Sequence, residues 1–240
     1  MFGGLNWDYN EIEALEGIGE LKQLCSRQRK KFTVSIEGNI GCGKSTLVNY
    51  FNKFPKVECI KEPVDQWCDL KGHNALQLLY EDSKRWSFTF NYYAMLTRVQ
   101  MHQQKLSVPV KMLERSLYST RYVFVENSIR NELLTGLEST ILEEWFDHLI
   151  KLPNTEVDLF VYLRASPEIC YERLKMRNRK EEAGVPIEFI QELHKLHEEW
   201  FMQEKFPIPA PVLVLDASQD LPVMKQLYED KKSEILFGCA

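Results

Sequence analysis

The sequence predicts an α/β fold: a five-stranded parallel sheet with helices on both faces and a basic lid. Short apolar or β-branched runs recur at residues 32–36, 57–60, 110–113, 157–163 and 212–215. Long segments of helical periodicity separate them, an alternation that belongs to parallel sheets buried between helices. A glycine-rich turn directly follows the first run. At 240 residues and 44% hydrophobic, the chain can bury one substantial core, so residues 31–240 are expected to form a single domain behind an N-terminal extension, 1–30, that is partly ordered or helical.

The first run leads into Gly38-Asn39-Ile40-Gly41-Cys42-Gly43-Lys44-Ser45, which fits G-x-x-x-x-G-K-[ST], and a helical stretch at 45–54 that includes Thr46 follows. Glycines let the backbone amides turn inward around a polyphosphate. Lys44 would reach the outer phosphates and the Ser45 hydroxyl would hold Mg²⁺ at the helix start, so the segment binds ATP or GTP. Cys42 is read as a small residue filling an interior position of the turn.

In parallel sheets ligands sit at the carboxyl ends of the strands, so the residues after each run are where chemistry is expected. After the second run come Lys61-Glu62-Pro63. Pro63 biases Glu62 towards an extended backbone, which holds an acid at that edge, placed to accept a proton from an attacking hydroxyl. After the third come Glu114-Arg115: the acid suits a metal or its water shell, and the arginine suits charge at the transferring phosphoryl or the acceptor oxygen.

Helical stretches are predicted over 82–104 and 116–151, the second interrupted within 133–140 where Gly136 weakens helix. On the first, Asn91, Ala94 and Arg98 share one face, an amide, a gap and a guanidinium suited to the edge of a ring. Phe90 and Phe124 offer stacking faces, and Trp67 a wall. After the fourth run Arg173, Lys175, Arg177, Arg179 and Lys180 crowd a helical segment that ends in Glu181-Glu182-Ala183-Gly184, which reads as a basic lid over about 173–184 that closes on phosphates.

A net charge of −5 argues against a sequence-independent nucleic-acid binder. Six cysteines without a C-x-x-C pair fit reduced thiols better than disulfides or zinc. There is no membrane-length apolar run, no signal-peptide profile, and the first 30 residues are too acidic for a transit peptide. A cytoplasmic protein is expected. The basic run 27–31 leaves a nuclear location open, and a mitochondrial one follows if a leader has been trimmed.

In order, I-E-G-N-I-G-C-G-K-S-T, K-E-P-V-D-Q-W, R-W-S-F-T-F, L-E-R-S-L-Y-S-T-R-Y-V-F-V-E-N and R-N-R-K-E-E-A-G-V-P resemble the deoxyribonucleoside kinase family over about residues 31–236. F-V-E-N, H-K-L-H-E-E-W and A-P-V-L-V-L-D are most similar to its mitochondrial thymidine kinase and insect multisubstrate branch, whereas R-W-S-F-T-F is shared with deoxycytidine and deoxyguanosine kinases. The resemblance implies a phosphate-loop NTPase-type sheet of order 2-3-1-4-5 and ATP- and Mg²⁺-dependent phosphorylation of a deoxynucleoside 5′-hydroxyl. It further implies a homodimer packed through helices and feedback inhibition by a deoxynucleoside triphosphate. Carried over by motif, Glu62 is the general base, with Arg115 beside the acceptor and Lys44 on the phosphates. Ser45 and Glu114 serve the metal; Tyr80 and Glu182 serve the sugar 3′-hydroxyl; Arg173, Arg177 and Arg179 face the donor. Trp67, Leu76, Phe90, Phe124 and Ile40 line the nucleoside pocket, and the segment 216–221, beginning with Asp216, borders the adenine.

Two departures bear on the base. Asn91 stands where the family usually has glutamine; the loss of one of two amide hydrogen bonds costs about 1–3 kcal/mol, roughly 5- to 150-fold in affinity. Arg98 is paired with Thr120, where purine-accepting relatives combine arginine with aspartate and pyrimidine-preferring ones have methionine and alanine. Broad specificity with pyrimidines favoured is the resulting expectation. A nucleoside monophosphate kinase such as thymidylate kinase is the alternative, but Glu62 would repel an acceptor phosphate. A nucleotide-dependent switch is a further alternative; N-K-x-D and D-x-x-G are missing from the relevant places.

Overall fold

The computed structural model describes residues 31–105 and 107–239; the expected N-terminal extension, with Cys25 and most of the basic run 27–31, lies outside them. The strands are β1 (Phe32–Gly38), β2 (Val57–Ile60), β3 (Val110–Glu114), β4 (Leu159–Arg164) and β5 (Val212–Asp216). They form one parallel sheet in the expected order β2-β3-β1-β4-β5. Central β1 and neighbouring β3 are buried at every residue, as strands covered on both faces must be. The register sets Ile36 beside Glu114 and Gly38 beside Leu163, so the phosphate loop and Glu114-Arg115 emerge at one edge.

Around the sheet lie α1 (Lys44–Phe51), α2 (Val64–Cys68), α3 (Ala75–Glu81), α4 (Ser83–Gln103), α5 (Leu117–Ser119), α6 (Glu126–Arg130), α7 (Gly136–Leu149), α8 (Pro167–Arg177), α9 (Ile187–Phe201), α10 (Leu221–Asp230) and α11 (Lys232–Ile235). Their ends follow capping chemistry. Asp82 accepts the Arg85 amide at 3.0 Å to start α4, and Ser166 with Pro167 starts α8. Asn178, in the left-handed region at φ 51°, ends α8.

The expected helix 116–151 is divided. A π-helical turn, Thr120–Val125, joins α5 to α6, and the chain is non-helical at 131–135. Gly136 is therefore the first residue of α7, not its breaker: Thr135 and Glu138 form a capping box there. The basic segment is also divided. Arg173 and Lys175 lie within α8, and only the part beyond Arg177, with a 3₁₀ turn at Lys180–Glu182, departs from regular helix.

Two apolar clusters fill the layers on the sheet. One joins β1 to α1, α10 and α11. The other gathers α7, α9 and the π-helical turn around Phe160 and Trp200. Helix α9 contributes Ile190, Leu193, Leu196, His197 and Trp200 to the interior, the stripe expected of an amphipathic helix. A smaller cluster of Trp67, Leu76 and Ala94 forms a wall of the site below. Among the described residues no helix is long and apolar enough to cross a membrane.

Candidate active site

Two cavities meet at the carboxyl edge of the sheet. The first, ≈ 540 Å³, lies between α2, α3, α4, the π-helical turn and the segment after α8. The second, ≈ 440 Å³, lies over the phosphate loop between α8 and the start of α10. Lys44, Ser45, Glu114 and Arg177 line both, so the end of the phosphate loop is the passage between them.

The second cavity is lined by Gly41, Cys42, Gly43 and Thr46, with Arg173, Met176, Gln219, Leu221, Met224 and Tyr228 opposite. Gly41 has φ +84°, and a Cβ there would stand 2.2 Å from the Cys170 carbonyl oxygen; only glycine fits. Lys44 is buried, donates to the Asn39 carbonyl at 2.7 Å and has its pKa lowered by burial and then by Arg115. The Asn39 amide holds the loop on α9, donating to the Ile190 carbonyl at 2.8 Å. Gly38 and Asn39 line neither cavity, and Cys42 is 2% exposed; they shape the loop from within. Ser45 Oγ donates to Glu114 Oε1 at 2.6 Å.

Arg173, expected in a lid, donates instead to the carbonyls of Ala217 and Gln219, each at 2.7 Å. It clasps the segment after β5 to α8. Asp216 does not line the cavity; its carboxylate accepts the Ser218 amide at 2.9 Å, which draws its pKa down and turns the chain so that Gln219 and Leu221 face inward.

Ile40 and every residue expected at the acceptor line the first cavity: Glu62, Trp67, Leu76, Tyr80, Phe90, Asn91, Ala94, Arg98, Arg115, Thr120, Phe124 and Glu182. Trp67 meets Phe90 edge-on at 5.3 Å and its indole donates to Thr97 Oγ1 at 3.1 Å. Phe124 lies under the Arg115 guanidinium, 4.8 Å from the ring centroid. The π-helical turn lets both Thr120 and Phe124 reach the cavity while Tyr122, Val123 and Val125 remain in the core; such turns recur at functional sites. Arg179 lines this cavity and not the second. With Arg177 it holds Glu182, at 2.6 and 2.5 Å.

At the floor, Glu62 Oε1 receives a hydrogen bond from Arg98 Nη2 and stands 3.5 Å from Arg115 Nε. Arg98 Nη1 donates to Thr120 Oγ1. Burial pushes the Glu62 carboxyl up, but Arg98, Arg115 and Lys44 outweigh it, and the net direction is down. Arg115 has φ 66°, an uncommon conformation for a side-chain-bearing residue, held by its amide on the Ile36 carbonyl at 3.0 Å. Asn91 turns its amide nitrogen onto the Ser87 carbonyl at 2.9 Å, which commits one of its two N–H groups within its own helix.

Sequence reasoning missed Phe189, which faces Tyr80 edge-on at 6.4 Å, and Tyr228 on the donor side; aromatic positions on amphipathic helices read as core. It also passed over Glu37. That buried carboxylate accepts from Ser35 at 2.8 Å and Ser116 at 2.6 Å, and burial holds its pKa up against Arg115. An acid inside a strand buried on both faces was the available signal.

The family model described as deoxynucleoside kinase matches residues 34–236. The chain belongs to the deoxynucleoside kinase family. It is 41% identical over 210 residues to human mitochondrial thymidine kinase 2, spanning 87% of this chain and 79% of that protein. The macaque mitochondrial thymidine kinase 2 is 40% identical over the same spans, and mouse deoxycytidine kinase is 35% identical over 234 residues, 85% of this chain and 90% of that one. This deoxynucleoside kinase is accordingly a phosphotransferase of nucleoside salvage, and its family implies ATP as the phosphate donor.

Proposed function

We propose that this deoxynucleoside kinase transfers the γ-phosphoryl group of ATP to the 5′-hydroxyl of deoxyribonucleosides, with pyrimidines, thymidine and deoxycytidine, favoured. The carrying observation is the junction of the two cavities at Lys44, Ser45 and Glu114: a phosphate loop on one side, an aromatic slot with a half-buried carboxylate, Glu62, on the other. Glu62 takes the proton of the attacking hydroxyl, and Arg115 steadies the charge at the acceptor oxygen. Lys44 serves the donor phosphates, joined by Arg177, which lines both cavities while it pairs with Glu182; Arg173 acts on the donor side by holding the Ala217 and Gln219 carbonyls. Arg179 acts through Glu182, which with Tyr80 meets the sugar 3′-hydroxyl. Because phosphoryl transfer needs position and charge more than covalent help, this set suffices.

Ser45 and Glu114 offer hard oxygen ligands at the junction, and among the described residues no cluster of three acidic, histidine or cysteine groups forms a metal cage. That suits Mg²⁺, which keeps waters and phosphate oxygens and takes few protein ligands. When bound, it neutralises charge on the phosphates.

The pyrimidine reading is supported by the named activities of the relatives and by Arg98, which is engaged with Glu62 and Thr120 and has no aspartate beside it. The exposed apolar residues Tyr92 and Leu96 of α4, with Leu137 and Ile141 of α7, support a homodimer through those helices. Feedback inhibition by a deoxynucleoside triphosphate is supported by the continuity of the cavities: one ligand can place its base in the first and its phosphates in the second. Unpaired Cys42, Cys59, Cys68, Cys170 and Cys239 suit a reducing compartment such as the cytoplasm.

The test is a labelled-ATP assay against the four deoxynucleosides, with thymidine monophosphate as a competing acceptor. Thymidine and deoxycytidine should give the highest kcat/KM. A purine optimum would overturn the base preference, and phosphorylation of the monophosphate alone would overturn the acceptor class. Glu62→Gln should lose at least about 100-fold in kcat while still binding nucleoside.

A further inference from the structure

Resting on Glu62 as the base of the reaction, we propose that Arg98 is a positioning residue for it. Arg98 ties down one carboxylate oxygen so that the other stays charged and free for the acceptor hydroxyl, and it extends the enzyme's activity to lower pH than Arg115 alone would sustain.

The geometry carries this. Arg98 and Arg115 approach the same oxygen of Glu62, Oε1; among the described residues Oε2 has no hydrogen-bond partner, and the side chain keeps 16% exposure on the cavity. A carboxylate gripped on one side and open on the other is set up to receive a proton from a ligand. A structural ion pair would satisfy both oxygens. Arg98 itself is not free to swing. It is 2% exposed, its second amino group is on Thr120, and its guanidinium carbon lies 5.5 Å from the Trp67 ring and 5.6 Å from the Phe124 ring. Those aromatics hold the cation in place on the carboxylate.

In the step concerned, the acceptor O–H bond breaks and its proton passes to Glu62 Oε2. The oxygen bonds to the γ-phosphorus while the bond from that phosphorus to the bridging oxygen breaks, and ADP leaves with the electron pair. Protonating Oε2 beforehand stops this. The charged and titratable groups facing Glu62 are Arg98 from α4, Glu114 and Arg115 at the end of β3, Lys44 from the phosphate loop and the Tyr80 phenol on α3, with buried Glu37 of β1 acting on both arginines. Tyr80 is kept protonated by burial and by Glu182 and Glu62. Arg177 and Arg179 are occupied by Glu182. Arg98 is the strongest of the groups that favour the charged carboxylate over the burial that opposes it. Without it Glu62 retains the more distant contact to Arg115, and its proton affinity rises. A base with higher proton affinity is disabled at higher pH, so the acid limb of activity moves up.

The experiment is the pH profile of kcat/KM for the nucleoside in Arg98→Met, Arg98→Lys and Thr120→Val, with far-ultraviolet circular dichroism at each pH confirming folded protein. Arg98→Met should move the acid limb up by about one pH unit, about a tenfold loss at the foot of the limb beyond any loss at its plateau. Arg98→Lys should restore part of the shift. Thr120→Val, which removes the anchor and leaves both charges, should shift the limb the same way by less, and it tests the idea if Arg98→Met does not fold. Parallel profiles that differ only in height would sink the proposal and leave Arg98 a packing or base-contact residue. Glu62→Gln separates the two layers: if it is inactive across the range while Arg98→Met keeps the wild-type limb, only the role of Arg98 falls. If Glu62→Gln turns over normally, the base assignment falls first.

Discussion

Gly41→Ala tests how closely the donor site depends on loop geometry. The backbone there has φ +84°, and the new Cβ would meet the Cys170 carbonyl oxygen at 2.2 Å and its carbonyl carbon at 3.0 Å. Cys170 lies inside α8, so the obstacle is helix backbone and the loop must move. Reaching a tolerable separation takes about 1 Å, and a displacement of that size in a reacting group costs about 100-fold in rate, or about 2.7 kcal/mol. The left-handed backbone adds roughly 1–3 kcal/mol of strain in the folded state, which for a protein of this size lowers Tm by about 2–4 °C per kcal/mol. The assay is kcat/KM for ATP at saturating nucleoside, beside a thermal melt. Gly72→Ala is the control: its φ is +90°, but nothing lies within 4 Å of the added Cβ. It should lower Tm by a few degrees and leave ATP kinetics within about twofold, since strain of this kind acts on the fold and not on the loop. If Gly41→Ala kept ATP kinetics within about threefold of wild type, or if Gly72→Ala matched its kinetic loss, the steric reasoning would fail.

Two further predictions concern stability. Trp200, fully buried among Phe160, Phe201 and Tyr122, should cost about 3–5 kcal/mol as Trp200→Ala, read as a lower urea midpoint; an unchanged midpoint would contradict the assignment of this cluster as core. Glu198 accepts from Tyr162 at 2.8 Å and from Arg164 at 2.9 and 2.7 Å. Burial alone would raise its carboxyl, but Arg164 and Tyr162 outweigh it and the pKa falls below the ordinary 4.5. Its contribution is therefore complete above about pH 4.5 and disappears as pH drops through the lowered value. Glu198→Gln should be less stable by about 1 kcal/mol at pH 7, modest because Arg164 is half-exposed, and should converge with wild type in acid; a gap independent of pH would refute the ion-pair origin.

The strands and the wall of the first cavity could be read from the sequence because each rests on local chemistry that recurs in order. Apolar runs mark β1 to β5, Pro63 marks the turn after Glu62, and the face shared by Asn91, Ala94 and Arg98 follows from helical spacing alone. What could not be read depends on contacts between elements distant in the chain. Gly136 is weak helix former by propensity, yet the capping box of Thr135 and Glu138 makes it a first-turn residue, so the interruption fell a few residues early. The π-helical turn at Thr120–Val125 has no compositional mark; it follows from the need to send Phe124 to the cavity and its neighbours into the core. Arg173 looked like a lid cation because charge on a helix does not declare its partner, and the carbonyls it binds lie 44 and 46 residues further on.

The departure at Thr120 shows how one missing charge redistributes a site. With an aspartate at 120, Arg98 would have an acid beside it at the far end of the slot; with threonine it has a hydroxyl, which cannot balance a buried guanidinium. The carboxylate that Arg98 hydrogen-bonds is Glu62, the group proposed as the base. On the proposed function, the Arg98 contacts to Thr120 and Glu62 couple the base-reading and proton-accepting ends of the cavity electrostatically. On the same reading, Asn91, with one amide N–H committed to the Ser87 carbonyl, offers a base fewer hydrogen bonds, so shape and stacking between Trp67, Phe90 and Phe124 would carry more of the choice. Aromatic stacking tolerates different rings, whereas a committed hydrogen-bonding pair rejects the wrong one strongly. With the proposed function, a pocket built this way would favour breadth of acceptor over stringency, and the threonine that leaves Arg98 without an acid at that end would tighten the arginine's hold on Glu62.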